Sequence, residues 1–214
     1  MSPHSTPGRR PDASRALQQY RRRAARYDLE LRPFEIYRAE AIARLDLRPG
    51  ATVLDVGCGT GLSFAGLIDK VGTGGRIVAF DPCPEMLEVA RARVAQRGWT
   101  GIELQRAGAA DAGLPRSADA ALFHFTHDVL RDPASVGHIA AHLRRGAHVV
   151  ASGLQWAPPW LPATNLFVLG AASYSVTCMD GLHQPWDLLA AHLRDVRMNS
   201  RGWGGIYLLD GRKR

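Results

Sequence analysis

The amino-acid sequence predicts an α/β fold built on a mostly parallel sheet, and three observations carry that expectation. An apolar run, Val53-Leu54-Asp55-Val56, passes directly into glycines spaced two apart, Gly57, Gly59 and Gly61, and a helical pattern follows. That order reads strand, tight turn, helix, because glycine stands where the backbone takes positive φ or lies against a ligand. A second apolar run over 76–81 also closes on an acid, and Asp81 stands 20 residues after Gly61. In a nucleotide-binding β-α-β unit a carboxylate near that position accepts hydrogen bonds from both ribose hydroxyls. Strand and helix patterns then alternate along the chain, as a parallel sheet requires.

Composition narrows the function classes. At 214 residues and 23.3 kDa, with 46% hydrophobic residues, the chain suits one α/β domain with a full core and is short for two. Its three cysteines, Cys58, Cys83 and Cys178, include no C-x-x-C pair, so neither a disulfide framework nor a structural zinc site is expected. No metal-ligand cluster of carboxylates is evident, and no metal is expected. Residues 1–13 are polar, carry Pro3, Pro7 and Pro11, and lack the apolar core of a signal peptide, so a disordered tail and a cytoplasmic location are expected. The net charge of +7 and pI of about 9.9 would suit an anionic partner. The charge is nearly all arginine, clustered at 21–26 and 212–214, without aromatic interleaving, so nucleic acid is not expected.

The glycine spacing is G-x-G-x-G and not the G-x-G-x-x-G of nicotinamide and flavin enzymes. The stretch resembles the first motif, V-L-D-x-G-x-G-x-G, of class I S-adenosylmethionine-dependent methyltransferases of the small-molecule type. The resemblance implies a Rossmann-like fold over 14–214: a seven-stranded, mostly parallel sheet with an antiparallel last strand and helices on both faces. It implies S-adenosyl-L-methionine as cofactor, held by Asp55, Gly57, Cys58, Gly59, Thr60 and Gly61, with Asp81 on the ribose. The segment 81–87 is similar to the family's D-x-S-P-E-M-L, which places Pro82 at the cofactor and Met86 on the adenosine, unless Met86 is simply a core residue of its helix. The segment 107–115 resembles the adenine-holding loop G-D-A-x-x-L-P, but Ala109 stands where an aspartate usually accepts from the adenine amino group. The Ala110 N–H remains a donor to the ring, and Asp111 is the substitute acceptor if the loop shifts.

Taken in order, 14–27 reads as a basic helix with Ala16, Leu17, Tyr20, Ala24 and Tyr27 near helical spacing. Pro33 opens a second helix, 34–45, with Ile36, Ala39, Ile42 and Ala43 as its apolar face. Helices ahead of the first strand in this fold commonly lie across the cofactor mouth, so 14–45 is expected to be a lid. Its Tyr20-to-Asp28 segment is similar to a Y-x(6)-Y-D pattern of several small-molecule methyltransferases, making Tyr27 a lid residue near the methyl group and Tyr20 a substrate contact. A Tyr27 packed on the core is the alternative. Helices over 62–71 and 85–97 and strands over 102–105 and 119–125 follow, Phe125 then falling at the cofactor. The segment 126–133 resembles the L-H-H-V-x-D-P stretch over the reaction centre. Strand C-terminal ends are where such sheets place their chemistry, so His124, His127 and Asp128 are the candidates for a general base, unless His124 is buried in its strand.

A helix over 134–143 and a strand over 148–153 lead into 153–179, which holds no charged residue. The insertion 154–183 is expected to wall an apolar substrate with Trp156 and Trp160, with membrane-surface contact, dimerisation or a plain core helix over 161–176 as rivals. A helix over 184–193 and strands over 195–199 and 204–209 complete the sheet. The implied reaction is in-line methyl transfer to a small hydrophobic molecule or a lipid headgroup, by a monomer or homodimer. A neutral amine needs only positioning, whereas a hydroxyl needs His127 or His124, whose pKa would lie near working pH. Resemblance to small N-methyltransferases favours nitrogen slightly over oxygen. A non-methylating enzyme such as a cyclase, or a nucleic-acid methyltransferase, are the alternatives; the N/D-P-P-Y/F signature of the latter is absent.

Overall fold

The strand-turn-helix units stack side by side in a computed structural model, which describes Asp12, Gln18, Arg21 and residues 27–214. Seven strands form one sheet: β1 (Thr52–Val56), β2 (Arg76–Asp81), β3 (Ile102–Arg106), β4 (Ala118–His124), β5 (Leu143–Leu154), β6 (Leu193–Arg201) and β7 (Ile206–Lys213). Their order is β3-β2-β1-β4-β5-β7-β6; β1 to β5 run parallel, and β7 is antiparallel to both neighbours. The expected seven-stranded topology is therefore observed.

Strand alternation divides the apolar residues between two cores. Leu54, Val56, Val78, Phe80, Phe123 and Val149 meet α5 (His127–Leu130), α6 (Pro133–Ala141) and α8 (Asp187–Ala190) on one face. Val53, Ile77, Ala79, Leu122 and Val150 meet α2 (Glu35–Arg44), α3 (Phe64–Val71) and α4 (Pro84–Arg97) on the other. A third cluster of Leu154, Val168, Ala172, Leu182 and Ile206 lies under α7 (Pro162–Ser175). Local signals set the helix ends: Pro84 opens α4, Gly98 closes it at φ 62°, and Asp132 caps α6 by accepting from the Ser135 N–H at 3.0 Å.

Several expected boundaries move. The fifth strand starts at Leu143, not 148, because a register shift between Ala118 and Ala120 lets Leu143 pair with Ala118. The last helix shrinks to Asp187–Ala190, since the β6–β7 ladder already begins at Leu193 opposite Lys213. Of the apolar face expected for 34–45, Ile42 is buried, whereas Ile36, Ala39 and Ala43 are exposed. Ile36 is 65% exposed, while Arg38, Ala41 and Ile42 are buried. Arg38, 2% exposed, turns inward beside Asp55 of β1, since a buried carboxylate calls for a counter-charge. α1 (Tyr27–Leu31) and the 3-10 turn Arg32–Phe34 precede α2. The expected tail 1–13 and the remainder of the helix 14–27, Tyr20 included, lie outside the described residues, apart from those three isolated positions and Tyr27. Among the described residues no helix is long and apolar enough to cross a membrane.

Candidate active site

A cavity of about 380 Å³ opens beyond the C-terminal ends of β1, β2 and β4. Its floor is the turn after β1, pinned by hydrogen bonds from the Cys58 N–H to the Phe80 carbonyl (3.0 Å) and from the Gly61 N–H to the Cys58 carbonyl (2.9 Å). Two of the glycines do different work. A Cβ on Gly61, at φ 77°, would fall 2.3 Å from the Phe64 ring, so this glycine lets α3 start against the turn. A Cβ on Gly59, at φ 54°, would find only the Tyr27 ring edge, 3.6 Å away, so this glycine keeps the floor open. Asp81, at the end of β2, accepts from the Gly59 N–H at 3.0 Å and the Cys83 N–H at 2.8 Å. Burial raises its pKa to about 6 against the opposing pull of those two N–H groups.

α1, in the segment expected to form a lid, is tied to this floor. Asp28 accepts from the Thr60 hydroxyl at 2.6 Å and pairs with Arg93 of α4, whose Nε donates to the Thr60 carbonyl at 3.0 Å. That clasp sets the Tyr27 ring over Gly59. At one end of the cavity, Gly108, Ala109, Ala110 and Asp111 form the wall. The Asp111 N–H closes a turn on the Gly108 carbonyl at 3.0 Å, and the Asp111 carboxylate reaches back to within 3.7 Å of a Cβ built on Gly108.

The opposite wall follows β4. Phe125 adopts φ 56°, a left-handed conformation rarely taken by a large residue, and its ring meets Phe34 edge-on at 5.1 Å. His124 bonds the Ser152 hydroxyl through Nδ1 at 2.7 Å, and its buried Nε2 has no partner. His127 is 7% exposed and lies near the Cys178 and Asp180 backbone, yet neither ring nitrogen closes a hydrogen bond of good geometry. Burial, then the Arg131 charge, lowers His127 to about 4, and burial with Arg38 holds His124 well below the usual range. Both imidazoles are neutral at working pH, not poised at it as the sequence suggests. Asp128 is held by Thr177, whose hydroxyl donates at 2.8 Å, and burial raises its pKa.

Of the residues singled out by sequence, Tyr27, Gly57, Gly59, Asp81, Pro82, Met86, Ala109, Ala110, His124, Phe125, His127 and Asp128 line this cavity. Asp55, Cys58 and Thr60 line a smaller one of about 20 Å³ behind the turn, which shares Tyr27, Gly57, Gly59 and His124 with the main cavity. Burial raises Asp55 to about 7, with Arg38 opposing, and its buried Oδ2 is unpartnered. Gly61 is beneath the loop. Trp156 is drawn into the cluster under α7, and Trp160 stands 77% exposed at the start of that helix, so neither reaches the cavity. Sequence reading missed Arg93 and Thr177, which act through long-range partners that leave no local pattern, and Arg38, which pairs with Glu35 yet is buried beside Asp55.

Residues 53–146 match the family model described as a methyltransferase domain. That segment is a methyltransferase domain. Among similar curated proteins, a protein-L-isoaspartate O-methyltransferase from Aeropyrum pernix is 40% identical over 74 residues, 35% of this chain and 28% of that one. Aklanonic acid methyltransferase DauC from Streptomyces sp. (strain C5) is 36% identical over 94 residues, 44% and 42% of the respective chains. The matched segments thus span less than half of these relatives. In fold, the domain resembles the N-methyltransferase NodS from Bradyrhizobium japonicum WM9 bound to S-adenosyl-l-homocysteine, with TM-score 0.68, 16% identity, and 92% and 98% of the two chains covered. It also resembles the cyclase SpnF, with TM-score 0.61, 16% identity, and 83% and 80% covered.

The methyltransferase domain belongs to a class that uses S-adenosylmethionine, and its residues fit that cofactor. The floor above Gly59 is open, Asp81 presents acceptors at the end of β2, and the orphaned Asp55 Oδ2 awaits a donor beside the turn.

Proposed function

We propose that the protein transfers a methyl group from S-adenosylmethionine to the nitrogen of a small hydrophobic amine. The observation that carries the nitrogen preference is the charge of the cavity wall. Asp81, Asp111, Asp128 and Asp132 line it, and no arginine or lysine does among the described lining residues. Such a wall attracts an amine and repels a carboxylate acceptor. A hydroxyl acceptor would need a base, and a neutral imidazole whose conjugate acid has a pKa of about 4 is a poor one. That the isoaspartate relative acts on oxygen by name weighs little, since it aligns over only 74 residues.

In this reading the turn residues Gly57 to Gly61 and Asp55 hold the methionine end, Asp81 accepts from the ribose, and Pro82, Met86 and 109–111 hold the adenine, with Asp111 in place of the usual aspartate. When bound, the cofactor supplies an activated methyl group on a sulfonium leaving group. Tyr27 and Phe125 shut water from the reacting pair, and Asp128, fixed by Thr177, orients the amine. The methylated amine would carry one proton too many, and Asp128 or water would take it.

The test is a mass-spectrometric screen of amines, phenols and carboxylic acids, lipid headgroup amines included, for the gain of one methyl group. Gain on amines supports the reading, and gain confined to phenols or acids overturns it. A second reading keeps the cofactor but not the methyl transfer, and the departure of Ala109 from the usual adenine-binding aspartate is what favours it. That a cyclase shares the fold illustrates that architecture leaves the reaction open. Rearranged product without mass gain would identify it.

A further inference from the structure

We propose that the outer face of α7 and its neighbours docks on an anionic lipid bilayer. Ten large hydrophobic side chains are exposed among the described residues; seven of them lie on α1, α2, α7 or just before α7, and an eighth, Trp203, lies on the turn between β6 and β7. The most exposed are Trp203 at 84%, Trp160 at 77% and Leu166 at 71%. They form one surface. Phe34 stacks on Phe167 at 6.3 Å and the Tyr174 hydroxyl donates to Glu30 at 3.2 Å, which joins the lid to α7. On the other side, the turn carrying Trp203 rests on Pro158, Thr164 and Val168 and closes back on Tyr37. α7 contains no charged residue and buries only Val168 and Ala172.

This exposure is costly and is sustained by the backbone. Trp203 sits at φ 54°, ψ 32°, a strained conformation for a bulky residue, between Gly202 and Gly204. Tryptophan and tyrosine around an apolar helix suit the boundary between headgroups and acyl chains.

Charge chooses the occupant. Residues 1–26 hold seven arginines against Asp12 alone, so six of the seven net positive charges precede α1. That basic segment ends at Tyr27, where α1 brings Leu29 to the apolar face. Anionic headgroups would attract it. A second copy would instead bring two such segments together, and like charges would oppose the association. Tyr27 and Ser175 also line the cavity, so the docked face adjoins its mouth.

The experiment is flotation of the full chain with vesicles of phosphatidylcholine alone and of equimolar phosphatidylcholine and phosphatidylglycerol. The expected result is flotation with the anionic vesicles, weaker by about tenfold or more on neutral ones and reversed by salt. The pair Leu166→Asp and Trp203→Asp should reduce it by about tenfold or more, with an unchanged melting temperature confirming the fold. No flotation, equal flotation with both vesicles, or undiminished flotation of the double variant would overturn the proposal. So would a dimer in light scattering that the double variant makes monomeric. None of these readouts requires methyl transfer, so failure here leaves the catalytic reading standing.

Discussion

The two walls of the cavity are built in different ways. The floor from β1 to the start of α4 is made of backbone: three positive-φ glycines, carbonyls taken by N–H groups, and a carboxylate, Asp81, satisfied by two main-chain donors. The wall from β4 to α7 is made of side chains, several of them incomplete: His124 Nε2, Thr126 Oγ1 and both nitrogens of His127 are buried without a partner. A backbone cradle binds any ligand of one shape, whereas orphaned side chains wait for particular donors and acceptors. On the proposed reading, the contrast separates a site for a common cofactor from a site for an individual acceptor.

The largest effect that would sharpen this contrast is Gly61→Ala. Its methyl group collides with Phe64 at an unfavourable φ, so the loss of stability should reach about 3 kcal/mol or more by calorimetry. Gly59→Ala should cost about 1 kcal/mol and instead weaken cofactor binding; equal destabilisation by both would erase the distinction between prop and cradle. Asp81→Ala should lower S-adenosylmethionine affinity by about a hundredfold in calorimetric titration, as two hydrogen bonds to a charged acceptor vanish. Unchanged affinity would confine Asp81 to tying the turn to β2.

On the side-chain wall, His127 has a folded pKa of about 4, below its unfolded value, so the unfolded chain binds more protons. Stability from this source is present above the unfolded pKa and lost as pH falls toward 4. His127→Leu should remove that acid limb, by about 3 kcal/mol at its foot, and change amine methylation by less than about tenfold. Asp55 and Asp81, raised to about 7 and about 6, have the opposite sign: their contribution to stability declines as pH rises from about 4 to 7. Cofactor affinity should climb over the same range as they ionise, and a flat profile would show that neither carboxylate meets the ligand. The smallest effect expected is that of Trp160→Ser, within about 0.5 kcal/mol and silent in cofactor titration, because the residue is exposed and off the cavity.

The same contrast explains what could be read from the chain. Glycine spacing, strand runs ending on Asp55 and Asp81, and Pro84 at a helix start are local requirements of the backbone, so the sheet and the floor are legible in sequence. Arg38 is not, because an arginine on a helix ordinarily faces water, and here it is buried while pairing with Glu35 and lying beside the buried Asp55. Nor is the fate of 154–183: an uncharged aromatic stretch looks the same whether it walls a pocket or faces outward, and α7 faces outward with only Ser175 at the cavity. The neutrality of His124 and His127 also depends on tertiary burial, which no residue pattern around them announces.

The clasp of Asp28, Thr60 and Arg93 has a kinetic consequence. It joins three segments distant in sequence directly over the turn, next to Tyr27. If, as proposed, the cofactor sits above Gly59 and leaves past that ring, its residence time would be set by the opening of one ion pair and one hydroxyl bond, on the timescale of loop motions. Turnover under saturating conditions would then follow solvent viscosity and ionic strength more closely than the intrinsic reactivity of the acceptor.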